Sequence, residues 1–286
     1  MKITPVAADS MGTRSMATFV DVPPLSVMID PGADLAKLRF GHAPHQLEEY
    51  QLEKHLERIQ LYIETAKICV LTRYIRTHCF MDHAELFEGK VLMMKNPNRS
   101  IRVEERKTAF DLLKRLKSVA REVIYIDGRT FEIGSVRFGF SDPVEITDDG
   151  EAAYTVMTAV RSQDRTLVHT SCCQGLDDPS VRDFIQRHTP DVLYLDGPPL
   201  YHLDTKDSQE GMDRLSAALE NLYASGIEEL ILDHHFVREQ NWRNRMDILA
   251  AEAEKRNVRL RTAAEFRGEE NNPFESRRNR LYERGE

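Results

Sequence analysis

The sequence predicts an α/β protein made of two β-rich halves, each covered by helices. Three observations carry that expectation. The first 30 residues read as extended runs broken by turn residues. Residues 52–66 have helical periodicity. From residue 180 onward, helical and strand patterns alternate.

Taken in order, Ile3 to Ala8 is extended, Asp9-Ser10-Met11-Gly12 is a turn, and Met16 to Val22 alternates weakly. Leu25 to Ile29 is an apolar strand stopped by Asp30-Pro31-Gly32. Leu52, Leu56, Ile59, Ile63 and Ala66 share one helical face. Lys67 to Leu71 is a buried strand, and the stretch after it, Thr72 to His83, is polar. Val91 to Met94 is a strand, and Ser100 caps a helix to about Ala120. Val123 to Ile126 and Thr130 to Ile133 read as a hairpin across Asp127-Gly128. Val136 to Phe140 and Tyr154 to Val160 are strands, the latter paired with Thr166 to His169. Helices at 180–187, 211–223 and 239–254 then alternate with strands at 192–195, 229–232 and 258–262. No repeat or linker divides the chain, so residues 1–286 read as a single domain.

Composition narrows the class. Of 286 residues, 41% are hydrophobic and 30% charged, which excludes bulk disorder. A net charge of −8 disfavours nucleic acid and anionic membranes as whole-surface partners. No apolar run reaches the ~18 residues of a membrane span. Four cysteines without a Cys-x-x-Cys pair suit a reducing, cytoplasmic setting.

Polar residues gather at predicted strand ends, where open α/β sheets place their ligands. Asp30 follows one strand, and Arg73 and His78 lie in the stretch after another. Ser171 and Cys172 follow His169, Asp196 precedes Gly-Pro-Pro, and Asp233-His234-His235 ends an apolar strand. Asp30 and Asp196 also suit turns, and free cysteines are commonly buried hydrophobes. An acid and two imidazoles directly after Leu230-Ile231-Leu232 are a costly choice for a turn alone. In the tail, Arg267, Arg277, Arg278, Arg280 and Arg284 lie among glutamates, which reads as a solvated helix with ion pairs.

Several stretches together resemble the metallo-β-lactamase superfamily, and within it an uncharacterised archaeal family. They are Ser10 to Met16, Ile29 to Gly32, Thr130 to Ser141, Ser171 with Gln174-Gly175, and Asp196 to Pro199. Leu232 to His235, Asn241-Trp242-Arg243 and Thr262 to Tyr282 complete the set. The resemblance implies a four-layer αββα sandwich with a site at one edge. In active relatives a His-x-His-x-Asp-His motif, a distant His, a bridging Asp and a late His hold two metals, which activate a hydrolytic water.

This chain departs at those positions. An ungapped alignment puts Arg73, Ile75, Thr77 and His78 at the motif. A second alignment, slid by five residues, reads His78, Phe80, Asp82 and His83 instead. The distant His corresponds to Ile146 and the bridging Asp to Cys172. The resemblance with these losses implies a metallo-β-lactamase-like protein with a degenerate, non-catalytic metal centre, its cleft binding either a protein or a small anionic ligand, the latter held by Arg73 and Arg76. The other reading is a zinc-type hydrolase using His78, Asp82, His83, Cys172 and His235, with Asp30, Ser171, Asp196, Asp233 and His234 in the surrounding cleft.

Overall fold

The apolar residues of residues 46–65 do share a face. They form α1 (Gln46–Thr65), and Leu52, Leu56, Ile59 and Ile63 pack against the first sheet. The computed structural model describes residues 1–148 and 150–284. Its first sheet runs in chain order: β1 (Lys2–Pro5), β2 (Thr18–Val22), β3 (Leu25–Ile29), β4 (Ile68–Leu71), β5 (Val91–Met94) and β6 (Glu122–Tyr125). The early strands are antiparallel, and β3 to β6 are parallel. The second half supplies β7 (Thr130–Ile133), β8 (Val136–Phe140), β9 (Val144–Asp148), β10 (Glu151–Thr155), β11 (Thr158–Arg161) and β12 (Thr166–His169). It also supplies β13 (Val192–Leu195), β14 (Glu229–Leu232) and β15 (Arg259–Arg261). The second sheet is ordered β15-β14-β13-β12-β11-β8-β7, and β9 and β10 form a separate hairpin.

Strand periodicity sorts the core into layers, because successive side chains face opposite ways. In β4, Ile68 and Val70 face the other sheet, while Cys69 and Leu71 meet α1 and α2 (Val103–Val119). In β14, Ile231 faces inward, and Leu230 and Leu232 face the helices α3 (Pro179–His188), α4 (Thr205–Tyr223) and α5 (Trp242–Glu254). Both faces of each sheet are covered, as parallel strands require. The result is the expected four-layer αββα sandwich. No helix among the described residues is long and apolar enough to cross a membrane.

Four local expectations need correction. Val123–Ile126 and Thr130–Ile133 do not pair with each other, since β6 edges the first sheet and β7 the second. Asp127-Gly128 instead carries the chain between sheets: Asp127 accepts from the Asn96 amide at 2.6 Å, and Gly128, at φ 67°, donates to the Ser141 carbonyl at 2.8 Å. The single strand expected over 154–160 divides between β10 and β11, and β10 pairs with β9, which the sequence does not signal; in this hairpin Ile146 and Ala153 pack on Cys172. Ser100 is no cap, for α2 begins after Arg102.

The tail is not a solvated helix. After α6 (Ala263–Arg267), the chain reaches α7 (Arg278–Arg284), where Arg280 is exposed and the Arg284 side chain lies outside the described set. Arg278, however, is fully buried and bidentate on Glu48 at 2.7 and 2.8 Å. Arg14 clasps Glu275, and the Asn272 amide donates to the Ser10 carbonyl at 2.7 Å. Mixed charge here marks a buried seam joining the two ends of the fold.

Candidate metal centre

The strand ends do converge. Asp30 follows β3, residues 72–78 follow β4, Ser171 and Cys172 follow β12, Asp196 follows β13, and residues 233–235 follow β14. Asp30, Ser171 and His234 have φ of 46°, 55° and 50°. Non-glycine residues rarely adopt that left-handed region, and such positions concentrate at functional sites.

Asp30 is the hub on the first sheet. Wholly buried, it accepts from the Thr72 amide (2.9 Å), the Thr72 hydroxyl (2.8 Å), the Ser171 hydroxyl (2.5 Å) and His78 Nδ1 (3.0 Å). Burial pushes its carboxyl upward, but the charge and hydrogen bond of His78 outweigh that and hold it below the usual range. His78 Nδ1 faces Asp30, and its Nε2 is buried with no hydrogen-bond partner among the described residues.

On the second sheet, Cys172 Sγ lies 3.0 Å from His235 Nε2 and 4.0 Å from Arg73 Nη1. Burial pushes the thiol up to about 12, against the pull of Arg73. Arg238 Nη1, a donor only, sits 3.1 Å from His235 Nδ1, and the Tyr201 hydroxyl is 3.2 Å from the same atom. That assigns the His235 proton to Nε2, facing the sulfur. His234 Nδ1 donates to Asp9 at 2.7 Å, and Arg238 Nε grips the other Asp9 oxygen at 2.6 Å. Burial, then the Arg238 charge, hold both imidazoles well below the ordinary histidine value, hence neutral.

The remaining acids are spent locally. Asp196 accepts from the Gln174 amide (2.5 Å) and the Thr170 hydroxyl (3.1 Å), with burial raising it to about 7; it is 4.0 Å from His235. Asp233 accepts from three backbone amides, of Ser10, His234 and Ala263, so it ties segments together. Arg73, 1% exposed, pairs with Glu105 and, at 2.8 Å, with Asp148.

Asp82 and His83 do not join this cluster. Both are exposed on the surface, Asp82 paired with Arg76 and His83 with Glu85. The turn at 75–79 folds back on Ile75, so the chain buries Arg73 and His78 and turns the later residues outward. Of the residues in the two alignments, Arg73 and His78 are thus buried at the strand ends, and Asp82 and His83 are not. Asp9, Tyr201 and Arg238 are site residues that the sequence does not single out: Asp9 reads as a turn former, and Arg238 signals itself only by following His235 at three residues. Glu105 and Asp148 lie 32 and 75 positions from Arg73, too far for any local pattern.

A two-metal centre does not fit these residues. Paired cations need several anionic ligands, yet among the described residues one group alone, Cys172, His234 and His235, offers clustered ligand atoms, within 4.8 Å of one another. Ile146 is buried against Cys172, and Arg73 adds positive charge beside it. A single ion would need the sulfur and an unprotonated imidazole nitrogen, and the His235 Nε2 proton assigned above points at that sulfur.

The fold and its strand-end site define a metallo-β-lactamase-fold protein. The solved structure of YhfI from Bacillus subtilis, described as such a protein, superposes with a TM-score of 0.53 at 12% identity, over 91% of this chain and 95% of that one. Zn²⁺-bound PqqB from Methylobacterium extorquens gives 0.53 at 11% identity, over 92% and 98%. No family model matches the chain. The UPF0282 protein of Methanocaldococcus jannaschii is 30% identical over 98% of this chain and 96% of its own length, and this chain belongs to the UPF0282 family.

Proposed function

We propose that this protein is a non-hydrolytic metallo-β-lactamase-fold protein in which a guanidinium–carboxylate network stands where relatives hold two metals. One observation carries the reading: buried Arg73 is fixed between Glu105, Asp148 and Cys172. A fixed organic cation repels divalent ions in a low-dielectric interior. The network also suits a small anionic ligand. Asp148 is 39% exposed, so a carboxylate or phosphate arriving from that side would take its place on Arg73. Arg76, turned to the surface on Asp82, takes no part in this pairing. Four buried, unbridged cysteines favour a cytoplasmic location.

The test is elemental analysis of purified protein with thermal shifts in phosphate and in Zn²⁺. Less than ~0.2 metal per chain, with a shift in phosphate that Arg73→Met abolishes, supports the reading, because a ligand that binds the native state alone raises its melting point. Two metals per chain would overturn it.

A second reading rests on the buried trio of Cys172, His234 and His235, whose ligand atoms lie within 4.8 Å of one another. One Zn²⁺ held by these residues would supply a Lewis acid. The Zn²⁺-bound state of PqqB is consistent with this. Near one zinc per chain, lost in Cys172→Ala, would favour it over the first.

A further inference from the structure

The sandwich is open at the end opposite the strand-end site. There, the first residues of β4, β5 and β6 and the last of β7 surround a cavity of about 720 Å³. Its walls come from both sheets: Leu25, Ile68, Val91 and Ile124 from one, Phe131 and Ile133 from the other. These residues continue the inter-sheet core to the surface. Strands β6 and β7 are both sheet edges, so no strand closes the gap.

The rim is charged. Lys67 Nζ rests on the Pro24 carbonyl at 2.6 Å, and Lys90 Nζ rests on the Ala66 carbonyl at 2.9 Å. Carbonyls orient those ammonium groups without neutralising them. The Arg121 guanidinium makes no hydrogen bond or ion pair among the described residues. Against these three cations stand Glu88 and Glu122, while Glu132 is already paired with Arg137 at 2.6 Å. On a chain of net charge −8, this mouth is locally positive.

We propose that this cavity binds a single-chain amphiphile, its apolar tail between the sheets and its anionic head at Lys67, Lys90 and Arg121. The volume lies within the range of small-molecule sites, which are concave and mostly apolar. Packed sheets lie ~10 Å apart, and a helix with its side chains is about 10–12 Å across, so a helix does not enter. A polymethylene chain does. A second copy fits poorly, because two concave mouths facing each other enclose a void.

The experiment is calorimetric titration of the full chain with dodecanoate below its micellar concentration, with dodecan-1-ol and anionic phospholipid vesicles as parallel arms. The expected result is saturable one-to-one binding of dodecanoate. Arg121→Glu, an exposed change that spares the fold, weakens dodecanoate about tenfold and leaves dodecan-1-ol unchanged. Ile133→Trp, which fills the mouth, abolishes both. Four results would overturn the proposal: no saturable binding, equal loss of acid and alcohol in Arg121→Glu, binding to vesicles alone, or a dimer that dodecanoate leaves intact.

Discussion

Replacing Arg278 with alanine tests the buried seam between the tail and α1. The side chain donates to both Glu48 oxygens (2.7 and 2.8 Å) and to the carbonyls of Ala36 (2.8 Å) and His42 (3.2 Å). Arg278→Ala removes all four donors. The Glu48 carboxylate, 1% exposed, keeps only the His45 amide at 2.9 Å. Breaking a buried pair from one side costs about 3–5 kcal/mol, because the remaining charge is desolvated and uncompensated. Each orphaned carbonyl adds to that, and inward relaxation of water subtracts from it. We expect a loss of about 4 kcal/mol, a large share of a typical 5–15 kcal/mol stability. In thermal terms that is roughly 8–16 °C for a chain of this size. Urea titration followed by circular dichroism at 25 °C measures it. The double variant Glu48→Met with Arg278→Met should recover most of the loss, since an apolar pair of similar volume leaves no stranded charge. A loss under about 1 kcal/mol in Arg278→Ala, or a double variant no better than the sum of the singles, would refute the reasoning.

Three further outcomes follow from the same geometry. Burial raises Glu275, but the hydrogen bonds and charge of Arg14, with Arg238, outweigh it and hold the carboxyl at about 2, against 4.5 when unfolded. A depressed native value stabilises above pH 4.5 and loses that contribution as pH falls towards 2. The difference is about 3 kcal/mol, and Glu275→Gln should flatten that part of the stability–pH curve. Gly32→Ala should cost at least about 3 kcal/mol or abolish soluble expression, because its new methyl would sit 2.2 Å from the Arg76 carbonyl oxygen and 2.4 Å from the Cys79 nitrogen, both backbone atoms that cannot step aside. Asp30→Asn keeps the shape but gives up an oxygen that accepts from Ser171, Thr72 and His78; about 2–3 kcal/mol should be lost in denaturant titration, and an unchanged midpoint would show that water substitutes freely there.

The layers were legible in the sequence wherever one face of an element is apolar. Strands β4, β13 and β14 and the stripe on α1 announce themselves by period and by length. Strand pairing was less legible. Asp127-Gly128 has the residues of a tight hairpin, but which sheet each flanking strand joins depends on contacts with Asn96 and Ser141, far away in the chain. For the site, acids and imidazoles after apolar strands were informative, and so Asp30, Cys172, His234 and His235 stood out. Their supporting residues did not. Arg238 and Asp9 meet across 229 positions, and neither the distance nor the burial that makes the contact matter leaves a local trace. Burial of Arg73 and His78 and exposure of Asp82 and His83 likewise leave no record in composition.

The seam that joins residues 262–278 to residues 9–48 sets an order of events during synthesis. Ser10 receives the Ala264 and Asn272 amides, and Glu48 waits for Arg278. A nascent chain that has emerged only through α5 therefore carries an N-terminal half with a naked carboxylate in its interior and a loop lacking its anchors. That half becomes fully locked only once residues 262–278 have folded back onto it, so until they do it offers proteases their widest window.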